Sequence, residues 1–199
     1  MLFFTSDIHF NDNNTLKSDL RPFKNITQYD CQIIKTWNKQ ASKNDIIYVV
    51  GDLFDCDGEN SYQWQKPMQY IKKIKAKIIL ITGNNEERII KHYFNNNFDE
   101  FRNYCISAGI KEVHQNLIVE IKDKEFYLTH KPANYNPNYI NLFGHTHAAG
   151  GIYMPFGLNV GADLSHFRLL SENDIFHFLD KKATYWDKDK HLNMTFKTN

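Results

Sequence analysis

The chain has 199 residues, 24 Lys+Arg against 23 Asp+Glu for a net charge of +1, and 42% hydrophobic content. That length suits one domain with a sizeable core, expected over residues 1–199. The near-neutral charge excludes a strongly basic nucleic-acid-binding domain, and no apolar run approaches the roughly 20 residues needed to cross a bilayer.

Met1–Thr5 is an apolar run predicted as the first strand, and it leads into Asp7-Ile8-His9. Ile26–Ser42 places Ile33, Trp37 and Ala41 at i, i+4 and i+8, which predicts an amphipathic helix. Ile46–Val50 is the next strand and ends in Gly51-Asp52-Leu53-Phe54-Asp55. A second amphipathic pattern, with Trp64, Met68, Ile71 and Ile74, predicts a helix over Tyr62–Lys75, with Pro67 near its first turn. Ile78–Thr82 is a strand that ends in Gly83-Asn84-Asn85-Glu86. Asp99–Ala108 is helical in pattern, with Gly109 as its stop.

Leu117, Val119 and Ile121 alternate with polar residues, and Lys122–Glu125 turns the chain into Phe126–Thr129, which predicts a hairpin ending at His130. Ile140–Phe143 runs into Gly144-His145-Thr146-His147. Ile152–Val160 is read as a further strand, and Ser171 as the N-cap of a last helix to Asp180. Early strands alternate with helices and later ones form hairpins. The expected fold class is therefore mixed α/β, with two packed mixed sheets flanked by helices. Three cysteines, Cys31, Cys56 and Cys105, give no disulfide framework and fit a reducing cytosol, so a cytoplasmic location is expected. Met1 leads directly into Leu2-Phe3-Phe4 with no basic segment, so no signal peptide is expected.

Five strand-like runs thus end in clusters of Asp, Asn and His. Each cluster alone is an ordinary turn composition. Together they supply carboxylate, carboxamide and imidazole at the carboxyl ends of strands, where an open α/β sheet places its ligands. Those donors suit borderline divalent metals.

In order, Asp7-x-His9, Gly51-Asp52-x-x-Asp55, Gly83-Asn84-Asn85-Glu86, His130 and Gly144-His145-Thr146-His147 resemble the five blocks of the calcineurin-like metallophosphoesterases. Arg21-Pro22-Phe23, Trp37-Asn38 and Asn159-Val160-Gly161 are similar to stretches of bacterial and phage members. The resemblance implies a four-layer αββα sandwich and a centre of two divalent metal ions, Mn, Fe or Zn. Asp7, His9, Asp52 and His147 would hold one metal. Asp52 would bridge to the second, completed by Asn84, His130 and His145. The implied reaction is hydrolysis of a phosphate ester by a hydroxide shared between the metals.

Small or nucleotide-derived phosphodiesters are the first expectation for the substrate. A phosphomonoesterase is the alternative, and a catalytically weak binding module on the same fold is a third. The chain departs from the family at Asn85, where catalytic members carry a His thought to protonate the leaving group, oriented by the carboxylate at Asp55. An amide cannot act as a general acid, but Asn85 could donate a hydrogen bond to a phosphate oxygen. Arg21 and Lys131 are further candidates for phosphate binding. Arg88, His166 and Arg168 carry weaker cases, and Cys56 beside Asp55 reads as a bystander.

Overall fold

The structure is a computed structural model that describes residues 1–55 and 62–182. Its strands are β1 (Leu2–Thr5), β2 (Ile46–Val50), β3 (Lys77–Ile81), β4 (Glu112–His114), β5 (Leu117–Ile121), β6 (Lys124–Leu128), β7 (Ile140–Phe143), β8 (Tyr153–Met154), β9 (Gly157–Asn159) and β10 (Leu170–Ser171). Its helices are α1 (Asn13–Ser18), α2 (Ile26–Gln40), α3 (Met68–Ile71), α4 (Asn84–Tyr93), α5 (Phe98–Ala108) and α6 (Glu172–Lys181).

Two five-stranded sheets form, in the orders β10-β1-β2-β3-β4 and β5-β6-β7-β9-β8. In the first, β1 to β4 run parallel and β10 closes the edge antiparallel. In the second, β6, β7 and β9 run parallel, with antiparallel β5 and β8 outside them. Successive side chains of a strand face opposite ways, and the first sheet uses both faces. Phe3, Ile47, Val49, Ile78 and Leu80 join Tyr29, Ile33 and Trp37 of α2 and Phe101 of α5 in one core. Phe4, Tyr48, Val50, Ile79 and Ile81 meet Val119, Phe126, Leu128, Leu142 and Leu158 of the second sheet in another, where α6 adds Ile175, Phe176 and Leu179. This is the expected class of two packed mixed sheets flanked by helices.

Local chemistry accounts for the helix ends. The Asn25 side chain caps α2 by accepting from the Gln28 N–H at 2.9 Å, and α2 stops at Gln40 because Ala41 turns extended. Gly109 ends α5 at φ +114°, a left-handed conformation that suits glycine. Ser171 and Asp174 cap α6 reciprocally.

Two expected elements are corrected. Tyr62–Lys75 is not one helix: a 3-10 turn covers Tyr62–Gln65, and α3 follows as a single turn. Pro67 lacks the N–H that would continue the first turn into the second. The buried face was still legible, since Trp64, Met68, Ile71 and Ile74 are all buried. The expected strand Ile152–Val160 is the hairpin β8–β9, turned at Pro155-Phe156, because proline cannot donate to a ladder. Between β5 and β6, Ile121 pairs with Lys124, so the turn is the two residues Lys122 and Asp123, both at positive φ.

Candidate metal centre

All five clusters lie at the carboxyl ends of β1, β2, β3, β6 and β7. After β1 the chain keeps pairing with the segment after β2: the N–H groups of Asp7 and His9 donate to Gly51 and Asp52 carbonyls, each at 3.0 Å. Ile8, between them, packs into the core, while Asp7 and His9 bring ligand atoms within 4.8 Å of each other and of His147. Both Asp7 carboxylate oxygens accept the His145 N–H at 3.0 Å, which ties the first sheet to the loop after β7.

The expected ligand atoms fall into two adjoining groups. In the first, His147 Nε2 is 3.6 Å from Asp7 Oδ1, and His9 Nε2 is 3.7 Å from Asp52 Oδ2. In the second, Asn84 Oδ1 is 3.1 Å from His130 Nε2 and 2.9 Å from His145 Nδ1, and His130 Nε2 is 3.4 Å from Asp52 Oδ2. Asp52 Oδ2 therefore stands between the His9 and His130 nitrogens, at the junction of the groups.

Donors about 2.1 Å from one tetrahedral ion stand about 3.4 Å apart, so this spacing fits divalent cations. A second observation supports the fit: His9 Nε2 is buried and has no hydrogen-bond partner among the described residues. A buried imidazole nitrogen without a partner is costly, and a cation would satisfy it.

The backbone is strained to achieve this convergence. Asp7, His9, Asp52, His145 and His147 all have φ between 47° and 73°. Non-glycine residues in that region cost about 1–2 kcal/mol each, and such strain clusters at functional sites. Gly51, at φ +89°, lies under His130, and a Cβ there would stand 2.2 Å from the ring nitrogen Nδ1. A Cβ at Gly83 would stand 2.2 Å from Asp52 Oδ1. Neither position admits a side chain.

Partners behind these side chains fix their orientation. His130 Nδ1 is 2.8 Å from the Val50 carbonyl. His9 Nδ1 is 3.3 Å from Asp12 Oδ2, whose other oxygen caps α1. His147 Nδ1 bonds to Asp19 and is 3.5 Å from Asp163. Each contact leaves the opposite ring nitrogen for the centre, the usual support for a metal-binding imidazole. Behind Asp52, the fully buried Glu86 accepts four N–H bonds: from Asp52 and Gly83 on Oε2, and from Leu53 and Phe54 on Oε1, at 2.8–3.2 Å. Burial and the Asp52 charge push its pKa up to about 7, and the four N–H donors favour the charged form against them. Asn159, also fully buried, holds the last loop by donating to Thr146 Oγ1 and the His147 carbonyl.

Burial works against charge on His130, but Asp52 and Asp7 outweigh it and raise its pKa to about 9. His147 is raised to about 9 against burial by Asp163, Asp7 and Asp19. Burial opposes charge on Asp52 too, yet His130 and His9 bring it down to about 2. Burial and His130 lower the pKa of His145. Below 6.5 the two raised imidazoles carry their proton in folded and unfolded chain alike, and their pairing stabilises the fold in full. That stabilisation is lost as pH rises through about 9. A cation held by these two imidazoles would displace their protons, so loading at pH 7 is expected to release about two protons per chain. Calorimetry in buffers of different ionisation enthalpy measures this number, and no release would contradict the electrostatic assignment.

Two expectations for phosphate contacts are corrected. The Arg21 side chain is 1% exposed and makes a fork to Asp163 at 2.9 Å on both contacts. It also donates to the Ile8 and Asp7 carbonyls and to Tyr29 Oη. No donor remains for a phosphate, and it is not a surface arginine either; it locks the segment after β1 to Asp163. Replacing Arg21 with Gln is expected to cost about 3–5 kcal/mol, because Asp163 would lose its two-bond partner and keep only His147, and the buried Ile8 and Asp7 carbonyls would lose a donor. Denaturant unfolding measures it. Asn85, 3% exposed, is likewise turned inward. Its Nδ2 donates to the Phe54 carbonyl at 3.2 Å and lies 3.2 Å from His9 Nδ1, while its Oδ1 accepts from Arg88 at 3.2 Å.

An open cleft over the centre is lined by His9, Asp12, Asp55, Asn85, Arg88 and His145, among others. Lys131 stands apart from this lining, its ammonium 2.7 Å from Glu87. His166 and Arg168 line a separate depression with Ile152 and Phe178. Tyr135 stacks on Phe156 at 4.6 Å as part of a packed loop. Cys56 lies outside the described residues.

The calcineurin-like phosphoesterase sequence profile matches residues 2–149, the stretch that carries all five clusters. The chain belongs to the calcineurin-like phosphoesterase family. It is 25% identical over 190 residues to the uncharacterized protein MJ1445 of Methanocaldococcus jannaschii, covering 90% of this chain and 92% of that one. Among solved structures, the protein of unknown function AQ665 from Aquifex aeolicus has a TM-score of 0.63 at 20% identity, over 89% of this chain and 98% of that one. A novel archaeal phosphodiesterase has a TM-score of 0.47 at 16% identity, over 87% and 94% of the two chains. No described helix of this family member is long and apolar enough to cross a membrane.

Proposed function

We propose that this phosphoesterase uses two divalent cations to hydrolyse phosphodiesters of small or nucleotide-derived type. The observation that carries the proposal is the position of Asp52 Oδ2, within 3.7 Å of His9 Nε2 and 3.4 Å of His130 Nε2. Asp7, His9, Asp52 and His147 would hold one cation, and Asp52, Asn84, His130 and His145 the other. When bound, the cations supply positive charge to phosphate oxygens and acidify a water as nucleophile.

The chain's own groups do the rest. Asp12 and Val50 hold His9 and His130 with Nε2 facing inward. Asp19 and Asp163 do the same for His147. Glu86 fixes the loop that carries Asp52, and Asp55 lines the cleft beside Asn85.

Diester preference follows from the charge of the cleft. Besides the proposed ligands it presents two carboxylates, Asp12 and Asp55, against one cation, Arg88. Around the two cations, these carboxylates oppose the second charge of a monoester more than the single charge of a diester. Rates on bis-p-nitrophenyl phosphate and p-nitrophenyl phosphate with Mn²⁺ added test this. The diester is expected to be the faster; a faster monoester would favour a phosphomonoesterase. Metal binding with no hydrolysis of either would favour a binding module.

A further inference from the structure

The net charge of +1 conceals a separation of charge along the first sheet. At the carboxyl ends of its strands, Asp7 follows β1, Asp52 and Asp55 follow β2, and Glu86 follows β3. At the amino end of β3 the chain carries Lys72, Lys73, Lys75 and Lys77 in close succession. Across residues 32–51 and 62–81 there are eight lysines, no arginine and one acidic residue, Asp45. Asp30, just before the first of these stretches, is buried.

Helix α2 brings two more lysines to the same surface. Ile33, Trp37 and Ala41 face the core, so Lys35 and Lys39, four residues apart, share the outer face. Asn38 beside them fastens α2 to the segment before β3. Its side chain donates to the Lys73 carbonyl and accepts the Lys75 N–H, each at 2.8 Å. The Lys77 N–H donates to the Asp45 carbonyl at 3.0 Å, which joins the turn before β2 to the same surface. All six lysines are exposed, while Ile71, Ile74 and Ala76 among them are buried. The neighbouring carboxylates are taken, Asp45 by the amino terminus at 2.8 Å and Glu112 by Lys111 at 2.7 Å. Among the described residues, none of the six lysines enters an ion pair, and Lys73 lies over the Tyr70 ring at 5.4 Å.

We infer that this lysine face binds the phosphate backbone of a nucleic acid, without reading its sequence and apart from the metal centre. The five residues of β3, about 17 Å of strand, separate the two ends. Lysine is a strongly hydrated point charge, suited to phosphate contacts that position a chain and carry no base readout. Protein interfaces are poor in lysine and rich in arginine and aromatic residues, and here there is no arginine and Trp37 is buried. Anchoring on an anionic membrane draws on apolar side chains inserted beside the basic ones. On this face Ile71 and Ile74 lie buried beneath the lysines, and Met1 is exposed only at its edge. The separation of charge also sets an orientation. A polyanion is attracted to the lysine end and repelled by the acidic end, so the metal cleft is turned away from it.

The test follows the fluorescence anisotropy of labelled oligo(dT) and oligo(rU) with the Mn²⁺-loaded protein at rising salt. Neutralising about six phosphates of a single strand gives a slope of log K against log salt of about −4, so affinity should fall about 10²-fold between about 50 and about 200 mM salt. Combining Lys39→Gln, Lys72→Gln and Lys75→Gln should weaken binding by at least about tenfold at low salt and reduce the slope by about 2. These side chains are exposed and outside the cleft lining, so the triple variant should keep the native unfolding temperature and the native rate on bis-p-nitrophenyl phosphate. Lys124→Gln, on β6 of the other sheet, should leave oligonucleotide binding unchanged.

No binding of either oligonucleotide at about 50 mM salt would overturn the inference. So would binding that the triple variant leaves unchanged, because the contact would then lie elsewhere, the metal cleft included. Capture of phosphatidylserine vesicles through the same lysines, with no oligonucleotide bound, would overturn it in favour of a membrane surface. Oligonucleotide binding lost in the triple variant, by a protein that hydrolyses no ester, would uphold the inference and overturn the phosphoesterase function alone.

Discussion

Replacing Asp52 with Asn is expected to lower bound metal from two ions per chain to one or none and to reduce kcat/KM by about 10³-fold. The side chain keeps its shape, so Oδ1 can still accept the Asn85 N–H, 2.9 Å away in the native protein. What is lost is the charged oxygen shared by His9 and His130. Charge neutralisation by metal is worth several kcal/mol in the transition state, and about 4 kcal/mol corresponds to a thousandfold in rate. Metal content by mass spectrometry and steady-state kinetics on bis-p-nitrophenyl phosphate measure the two losses. A variant with two metals and near-native rate would show that Asp52 does not bridge.

Replacing Glu86 with Ala is expected to destabilise the protein by about 6 kcal/mol. The carboxylate satisfies four N–H groups, of Asp52, Leu53, Phe54 and Gly83, in a fully buried position. Each buried donor left without a partner costs about 1–3 kcal/mol, and the side chain also leaves a cavity. At about 2–4 °C per kcal/mol for a chain of this size, Tm should fall by roughly 12–24 °C. Thermal unfolding followed by circular dichroism gives the shift. A fall of under about 3 °C would mean that water replaces the carboxylate, and that Glu86 does not organise the loop carrying Asp52.

Much of the candidate site was legible because its polar clusters follow directly on apolar strand patterns. Asp7 and His9 follow directly on the first strand, and polar residues at the carboxyl ends of neighbouring strands of an α/β sheet gather at one edge. The same logic placed Asp52, Asn84, His130, His145 and His147 at the ends of their strands. The groups that hold those side chains were not legible. Asp163 meets Arg21 across 142 positions, and Asp19 meets His147 across 128. Only tertiary packing brings such pairs together, and an isolated Asp or Arg carries no periodic signal. For the same reason Arg21 resembled a free phosphate ligand until its five donors were found occupied. Glu86 could be read as part of a helix start, as its bond to the Gly83 N–H shows, but nothing local announced its bonds to the β2 loop. In the fold, apolar patterns identified the buried faces correctly even where Pro67 and Pro155 broke the elements that carried them.

The most direct test of the binuclear centre is a crystal structure of the protein soaked in Mn²⁺, with anomalous scattering used to locate the metal. Two peaks about 3.5–4 Å apart, both contacting Asp52, are the expected result. One peak, or none beside Asp52, would contradict it.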